Sequence, residues 1–192
     1  MDIKLLKHFT SIQKLSKVEI EAIDETMIIR NFKKGSILLK EGQFSKDVFF
    51  VLNGIVRQYY LADGVEKTSD FFTDGQWVLS ANNVINGMAS KNYLDCCTDC
   101  TLVVGDSEKG DDLYLKFPNL GVVSRKLMNQ VFKEQQSKLE AYILNTPTVR
   151  YLNLMKSNPD LFQHIPQYQI ASYIGVTPES LSRIRKRISK KS

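Results

Sequence analysis

The side chains best suited to binding chemistry lie near the C-terminus, in the segment 178–188. Projected as a helix at about 100° per residue, this segment has one apolar side and one polar, basic side. A helix fits the major groove of DNA, where Arg, Lys, Ser and Glu side chains can bind base edges and phosphates. We therefore interpret the polar side as a DNA-binding surface. The residues predicted to contact DNA are Gln167, Gln169, Thr177, Pro178, Glu179, Ser180, Ser182, Arg183, Lys186 and Arg187.

Positive charge is concentrated in the same part of the chain. From Pro147 onward, eight lysines or arginines stand against two acidic residues, a net charge of +6, whereas the whole chain carries +5. Residues 1–146 therefore carry a net charge of −1. A local excess of positive charge indicates a polyanionic partner, bound with an affinity that falls as salt rises. The alternative is an ordinary pair of helices with a solvated, charged face.

A helix, a tight turn and a second helix are predicted to position these side chains. The first helix covers Gln167 to Tyr173. Gly175 can adopt the left-handed conformation of the turn, and Val176 fills the corner between the helices. Thr177 is predicted to cap the second helix, and Pro178 to take its first position, where a missing N–H costs nothing. The pattern predicts a helix-turn-helix.

Short β-branched or aromatic runs, separated by turn residues, fill the region from Met27 to Val104. The strongest local hairpin signal is Asn53-Gly54, which lies between two such runs. Before this region, the capping-box residues Ser16 and Glu19 predict a helix. Many short strands at this spacing predict a small antiparallel barrel or jelly roll. The predicted strands are 27–32, 37–39, 48–52, 55–61, 65–72, 93–97 and 102–104, and further turns fall at Gly35, Gly42, Gly64 and Gly75.

A long helix is predicted to start after Pro118 and to end before Pro147, because apolar residues recur at helical spacing through Ile143. A helix of about 25 residues spans ~38 Å, which is too long to be buried by a small barrel alone. We expect it to pair with a second copy of the chain; packing wholly within its own chain is the alternative. The residues predicted to form the dimer contact are Leu120, Val123, Leu127 and Val131.

The composition, with 43% hydrophobic and 24% charged residues among 192, is that of an ordinary globular protein. No apolar run approaches the roughly 20 residues needed to cross a bilayer, and the first residues lack the apolar core of a signal peptide. Three cysteines, an odd number, argue against a disulfide framework and fit a reducing compartment. We therefore expect a cytoplasmic protein without a membrane partner.

No arrangement of residues in the sequence predicts catalysis or metal binding. The two histidines, His8 and His164, lie outside the predicted strands, so a barrel enzyme with a metal centre would lack ligands. No nucleophile stands beside a base, and no phosphate-binding loop is present. We expect no catalytic residues, no metal and no enzymatic activity.

The order of these elements resembles the Crp/Fnr superfamily of bacterial transcription regulators over nearly the whole chain. The segments that carry the resemblance are KKGSILLKEG (33–42), DVFFVLNGIVRQYY (47–60) and QIASYIGVTPESLSRIRK (169–186). The resemblance implies an α+β fold: an antiparallel β jelly roll of the cyclic-nucleotide-binding type with flanking helices, a long dimerisation helix and a winged-type helix-turn-helix. The implied domains are 1–117, 118–146 and 147–192.

The resemblance also implies a sequence-specific, DNA-binding transcription regulator. Glu179 and Arg183 occupy positions at which family members touch base edges, while Pro178 stands where some members have a further Arg. Double-stranded DNA and a second copy of the chain are the implied partners, and RNA polymerase is a further candidate. The alternative function is a small-molecule-binding sensor module whose basic C-terminal tail contacts a protein partner.

Cyclic AMP, the family's founding ligand, is held by a Glu and an Arg, and this sequence departs from that pattern. The segment 76–90 contains no acidic residue and no Arg, and no Arg occurs between Arg57 and Arg125. A buried cyclic phosphate needs a fixed cation and aligned N–H groups. We therefore expect no response to cyclic AMP. The chain would bind DNA either without an effector or with an unknown, less charged one.

The cysteines depart from a second family pattern. Family members that carry an iron–sulfur cluster use four cysteines, whereas this chain has Cys96, Cys97 and Cys100 within five residues. We expect no cluster and interpret the three as small buried strand residues, since free Cys commonly packs as a hydrophobe. A subunit-bridging cluster or a thiol switch is the alternative.

Overall fold

Two helices open the chain, and both begin with a side-chain cap. The computed structural model describes residues 1–79 and 88–190. Helix α1 (Ile3–Ile12) is capped by Asp2, and α2 (Lys17–Thr26) begins with the predicted capping box. In this box the Glu19 N–H donates to Ser16 Oγ at 3.3 Å, and the Ser16 N–H donates to the Glu19 carboxylate at 2.7 Å. Local sequence therefore fixes where α2 starts.

Two antiparallel four-stranded sheets follow, with strand orders β1-β8-β3-β6 and β2-β7-β4-β5 among the described residues. Their facing surfaces pack into an apolar interior that includes Val51, Val56, Leu94 and Leu102. This is the predicted antiparallel jelly roll within an α+β fold. The strands are β1 (Met27–Phe32), β2 (Ile37–Leu39), β3 (Asp47–Asn53), β4 (Val56–Ala62), β5 (Val65–Phe72), β6 (Trp77–Val78), β7 (Tyr93–Cys96) and β8 (Cys100–Asp106).

The hairpin predicted at Asn53-Gly54 is wrong. Strands β3 and β4, on either side of it, belong to different sheets, so this turn carries the chain from one sheet to the other. Gly54 is required there, because its φ is +105° and a Cβ would lie 2.6 Å from the Asp99 carbonyl oxygen. The true tight hairpin joins β4 to β5 at Asp63-Gly64, where both residues have positive φ as in a type I′ turn.

The rest of the chain is helical. The prediction of a winged-type helix-turn-helix is corrected in one respect: the described residues 107–190 contain helices without the strands of a wing. The segment that precedes the helix-turn-helix forms two helices instead. The helices are α3 (Ser107–Lys116), which the sequence pattern missed, α4 (Pro118–Leu144), α5 (Pro147–Ser157), α6 (Leu161–His164), α7 (Gln167–Tyr173) and α8 (Pro178–Ser189).

The N-terminal half of α4 packs against its own barrel, and the predicted dimer contact is therefore wrong. Its inward side joins a core with Phe50, Trp77 and residues of α1. The apolar periodicity correctly predicted a buried stripe on this helix. The stripe packs against the barrel of its own chain rather than against a second copy of the chain. The stripe consists of the buried residues Leu120, Val123 and Leu127, together with the half-buried Val131.

A polar contact fixes the C-terminal half of α4 to the barrel. The carboxylate of Asp70, in β5, accepts hydrogen bonds from Lys138 Nζ at 2.8 and 2.9 Å and from Gln135 Nε2 at 3.0 Å. Asp70 is buried, whereas Lys138 is about one-third exposed. Pairing and hydrogen bonding offset the cost of burying this carboxylate.

The helix-turn-helix packs on the outside of the barrel through α7 and β5. The Thr68 N–H donates to Ser172 Oγ at 2.9 Å, and the rings of Phe71 and Tyr173 meet edge to face at 5.3 Å. Ile55 and Cys97 extend this apolar contact into the core of the C-terminal helices. The barrel therefore positions the helix-turn-helix directly.

Candidate nucleic-acid interface

The corner between α7 and α8 has the geometry that its sequence predicts. Gly175 has φ +73°, and the N–H of Val176 donates to the Ala171 carbonyl at 2.9 Å. A side chain at position 175 would also collide with the Tyr142 hydroxyl of α4. Ala171 and Ile174 are fully buried at the helix crossing. Glycine is therefore favoured at this turn by its backbone conformation, and a larger residue would in addition displace the Tyr142 side chain.

Helix α8 begins with the predicted cap. Thr177 Oγ1 accepts from the Ser180 N–H at 3.3 Å, and Pro178 takes the first helical position. The pKa of Glu179 is lowered, mainly by a hydrogen bond to the Thr177 side chain. The start of α8, the end that enters a major groove in helix-turn-helix proteins, is thus locally ordered.

The two sides of α8 separate as predicted. Leu181 and Ile184 are buried against the other C-terminal helices. Arg183 Nη2 donates to Ser180 Oγ at 3.1 Å, which holds the guanidinium beside the helix start. The opposite side is a continuous polar and basic face, formed by the exposed residues Glu179, Ser182, Arg183, Lys186 and Arg187.

The two α7 residues predicted to contact DNA, Gln167 and Gln169, are less exposed than the polar face of α8. Gln167 is half-buried, and its Oε1 accepts from Arg185 Nη1 at 3.0 Å, which links α7 to α8. Gln169 is only 8% exposed and donates to the Tyr168 hydroxyl at 3.3 Å. The prediction that Gln169 contacts DNA is therefore wrong for this conformation, because the α7 side chain points into the protein.

Arg150, which the sequence pattern did not single out, joins the long helix to the turn. Its guanidinium donates to the carbonyls of Tyr142 and Asn145 at 2.8 Å and to that of Ile174 at 2.9 Å. It also lies over the Tyr142 ring at 4.4 Å. Arg150 lies near the N-terminus of its helix, where the helix dipole disfavours a positive charge. This unfavourable position is the feature of the sequence that could have indicated a specific partner for Arg150.

The three cysteines are buried at the junction of β7 and β8, as interpreted from the sequence. Burial raises the pKa of Cys97 to about 12. Interaction with the neighbouring Cys100 thiol and burial raise the pKa of Cys96, whereas interaction with Cys96 lowers the pKa of Cys100. The described residues contain no group of three or more His, Cys, Asp or Glu side chains placed to hold a metal ion.

The segment 76–90, which the sequence predicts to lack the residues that hold cyclic AMP, is described at 76–79 and 88–90. Its residues 80–87 lie outside the described residues. No helix among residues 1–79 and 88–190 is both long and apolar enough to span a membrane.

The fold and the exposed basic helix define a class of protein: a jelly-roll domain joined by a long helix to a helix-turn-helix. Residues 29–116 match the cyclic nucleotide-binding domain family. No curated protein sequence matches the chain. The match is to a domain family, and the fold of the chain as a whole is similar to that of solved Crp/Fnr-family regulators.

Three solved structures illustrate the similarity over most of both chains. The c-di-GMP-responsive global regulator CLP of Xanthomonas campestris is 18% identical with a TM-score of 0.71, covering 92% of this chain and 93% of that one. A putative Crp/Fnr-family regulator of Eubacterium rectale is 16% identical with a TM-score of 0.72, covering 92% and 85%. FixK2 of Bradyrhizobium japonicum is 16% identical with a TM-score of 0.68, covering 86% and 85%.

Proposed function

We propose that this chain is a transcription regulator that binds double-stranded DNA in a sequence-specific manner as a homodimer. The observation that carries the proposal is the exposed polar and basic face of α8, which begins at an ordered cap and is supported by a buried helix crossing. Two such helices related by a two-fold axis would read half-sites about one helical turn of DNA apart.

A second apolar stripe on α4 supports the dimer. It lies beside the inward stripe and is exposed, with Phe132 at 71% and Ile143 at 70%. Large exposed apolar side chains at heptad-like spacing are typical of a helix that pairs with another helix. We assign the dimer contact to this outer stripe, which consists of Met128, Phe132, Leu139 and Ile143.

Replacing Arg183 by Ala is expected to weaken operator binding by about 1–3 kcal/mol and to relax the preference at one base pair. The physical reason is that an Arg held beside the start of a recognition helix can donate two hydrogen bonds to one guanine. An operator selected from random duplexes, and its single-base variants, would be titrated by fluorescence anisotropy.

Two matched variants separate base reading from general attraction. Arg30→Ala removes the same side chain from the barrel strand β1 and should change neither affinity nor preference. Lys186→Ala should weaken binding to all DNA sequences evenly, and it should reduce the slope of log affinity against log salt concentration by about 1. If Arg183→Ala leaves affinity and preference unchanged, the role assigned to Arg183 is wrong.

We further propose that DNA binding does not require cyclic AMP. The arginines of the matched region are Arg30, in the exposed strand β1, and Arg57. Arg57 is already engaged, because its guanidinium donates to Asp95 at 2.8 and 3.0 Å and to Glu66 at 2.7 Å. Where α4 crosses the barrel, Lys138 is likewise engaged, because it is paired with the buried carboxylate of Asp70. A cyclic phosphate would therefore lack a free arginine partner there.

Calorimetric titration with cyclic AMP is expected to show binding no tighter than roughly millimolar, which is about 4 kcal/mol. Operator affinity should be the same with and without the nucleotide. Cyclic GMP, tested in the same way, should bind equally weakly and should leave operator affinity unchanged. Micromolar binding that strengthens the operator complex would overturn this proposal while leaving the proposal of DNA binding intact.

A further inference from the structure

A cavity of about 1080 Å³ lies where the barrel, the long helix and the helix-turn-helix meet. Positions 65–69 of β5 form one wall, and the C-terminal part of α4 and one side of α5 form two others. The turn at 174–178, just before the recognition helix, completes the lining. Small-molecule sites have volumes of about 300–1000 Å³ and favour domain junctions, so this cavity has room for a molecule with several rings.

Apolar and aromatic side chains line much of this cavity while remaining accessible to solvent. Val65, Tyr142 and Tyr168 are each about half exposed, and all three line the cavity. Exposed apolar groups collected in one concave site mark a binding surface, because a ligand removes them from water. Tyrosine rings in addition favour stacking against an aromatic ligand.

One buried polar atom in the lining has no partner. Thr68 is 6% exposed, and its Oγ1 makes no hydrogen bond within the described part of the chain. Its own N–H is used in the contact with Ser172 Oγ. A buried hydroxyl that loses water without gaining a partner is unfavourable, so a polar group of a ligand would satisfy it.

The charges around the cavity favour a single negative group on the ligand. Glu66 is paired with Arg57 at 2.7 Å, although Arg57 also binds Asp95, and Lys138 is held by Asp70. Lys67, by contrast, is exposed and forms no ion pair within the described ranges. An anionic group beside Lys67 would gain a charge partner without displacing an existing one.

We propose that this cavity binds an apolar aromatic molecule, other than a nucleotide, that carries one negative charge. Its rings lie among Val65, Tyr142 and Tyr168, a polar group reaches Thr68 Oγ1, and its anionic group faces Lys67. No described residue of the segment 76–90 lines the cavity. A bound molecule touches the barrel, α4 and the helix-turn-helix together, and it therefore stabilises their present arrangement.

The probe for the test is 1-anilinonaphthalene-8-sulfonate, an aromatic monoanion, titrated into the full chain and followed by fluorescence. We expect one saturable site per chain with a roughly micromolar Kd. Asn153→Phe, which places a ring at the cavity wall, should weaken binding about tenfold. Asn129→Phe makes the same change on α4 outside the cavity and should have no effect.

Two further variants test the individual contacts. Thr68→Val keeps the side-chain shape but removes the hydroxyl, and it should weaken binding about threefold or more. Lys67→Ala should weaken binding of the sulfonate but not of N-phenyl-1-naphthylamine, which has the same rings without the charge. Circular dichroism and melting curves confirm that each variant is folded, and a variant that is not folded is replaced by Ser157→Phe, at another lining position.

Binding to the outer stripe of α4 is the main competing outcome. If Phe132→Glu abolishes the fluorescence and Asn153→Phe leaves it unchanged, the probe binds the stripe and the proposal is overturned. Absence of saturable binding to the unmodified chain overturns it equally. Because no step of this test uses DNA, its result is independent of the proposed regulatory function.

Discussion

Replacing Phe132 or Ile143 by Glu is expected to give a folded monomer whose affinity for operator DNA is roughly 100-fold lower, or more. Both side chains are at least 70% exposed in the single chain, so a carboxylate there remains solvated and the fold persists. In a dimer the same carboxylates would face each other across an apolar contact, where like charges repel. Loss of the dimer uncouples two half-site contacts that otherwise reinforce each other.

Sedimentation at micromolar concentration and operator titration would be measured on the same samples. Leu115→Glu is the control, because Leu115 lies on α3 and is 83% exposed, away from the outer stripe of α4. It should remain dimeric and bind DNA normally. A monomeric wild-type chain, or a Phe132→Glu chain that stays dimeric, would show that the outer stripe is not the contact.

Replacing Leu127 by Asp is expected to lower the free energy of unfolding by about 4 kcal/mol or more. Leu127 is 9% exposed and packs in the core shared by α1, the barrel and α4. The substitution removes apolar contacts and places a carboxylate among apolar side chains that include Phe9 and Trp77. A Leu→Ala change alone at such sites costs about 2–5 kcal/mol.

Urea unfolding of Leu127→Asp and of Met128→Asp gives the sharpest comparison, since the two positions are adjacent on α4. Met128 belongs to the outer stripe and is 36% exposed. Its substitution should weaken dimerisation while changing monomer stability little. Similar unfolding free energies for the two variants would contradict the orientation of α4 in this structure.

The helix-turn-helix was predictable because its signals are local. Gly175 provides the left-handed turn, Thr177 and Pro178 start the second helix, and a 3.6-residue period separates the two faces of α8. The starting and ending residues predicted for α7 are those of the structure. The side-chain environment of Gln169 was not predictable, since it depends on how the helices pack together.

The errors share a physical origin in long-range packing. Helix α4 carries two apolar stripes, and periodicity reports both without indicating which one the barrel covers. Asn53-Gly54 correctly marks a turn, yet a turn signal does not specify whether the next strand joins the same sheet. Strand β6, only two residues long, is held by pairing with β3 rather than by its own sequence pattern. Such features depend on contacts between distant parts of the chain.

The hydrogen bonds of Arg150 couple the end of α4 to the turn of the helix-turn-helix. One guanidinium binds carbonyls at the end of α4 and in the turn of the helix-turn-helix, although these lie about 30 residues apart in sequence. The joint between Asn145 and Pro147 therefore cannot bend freely, because bending would break charged hydrogen bonds. A twist of α4 about its own axis would therefore be transmitted to α8 as a rotation. The long helix would thus set the orientation of the polar and basic face of α8.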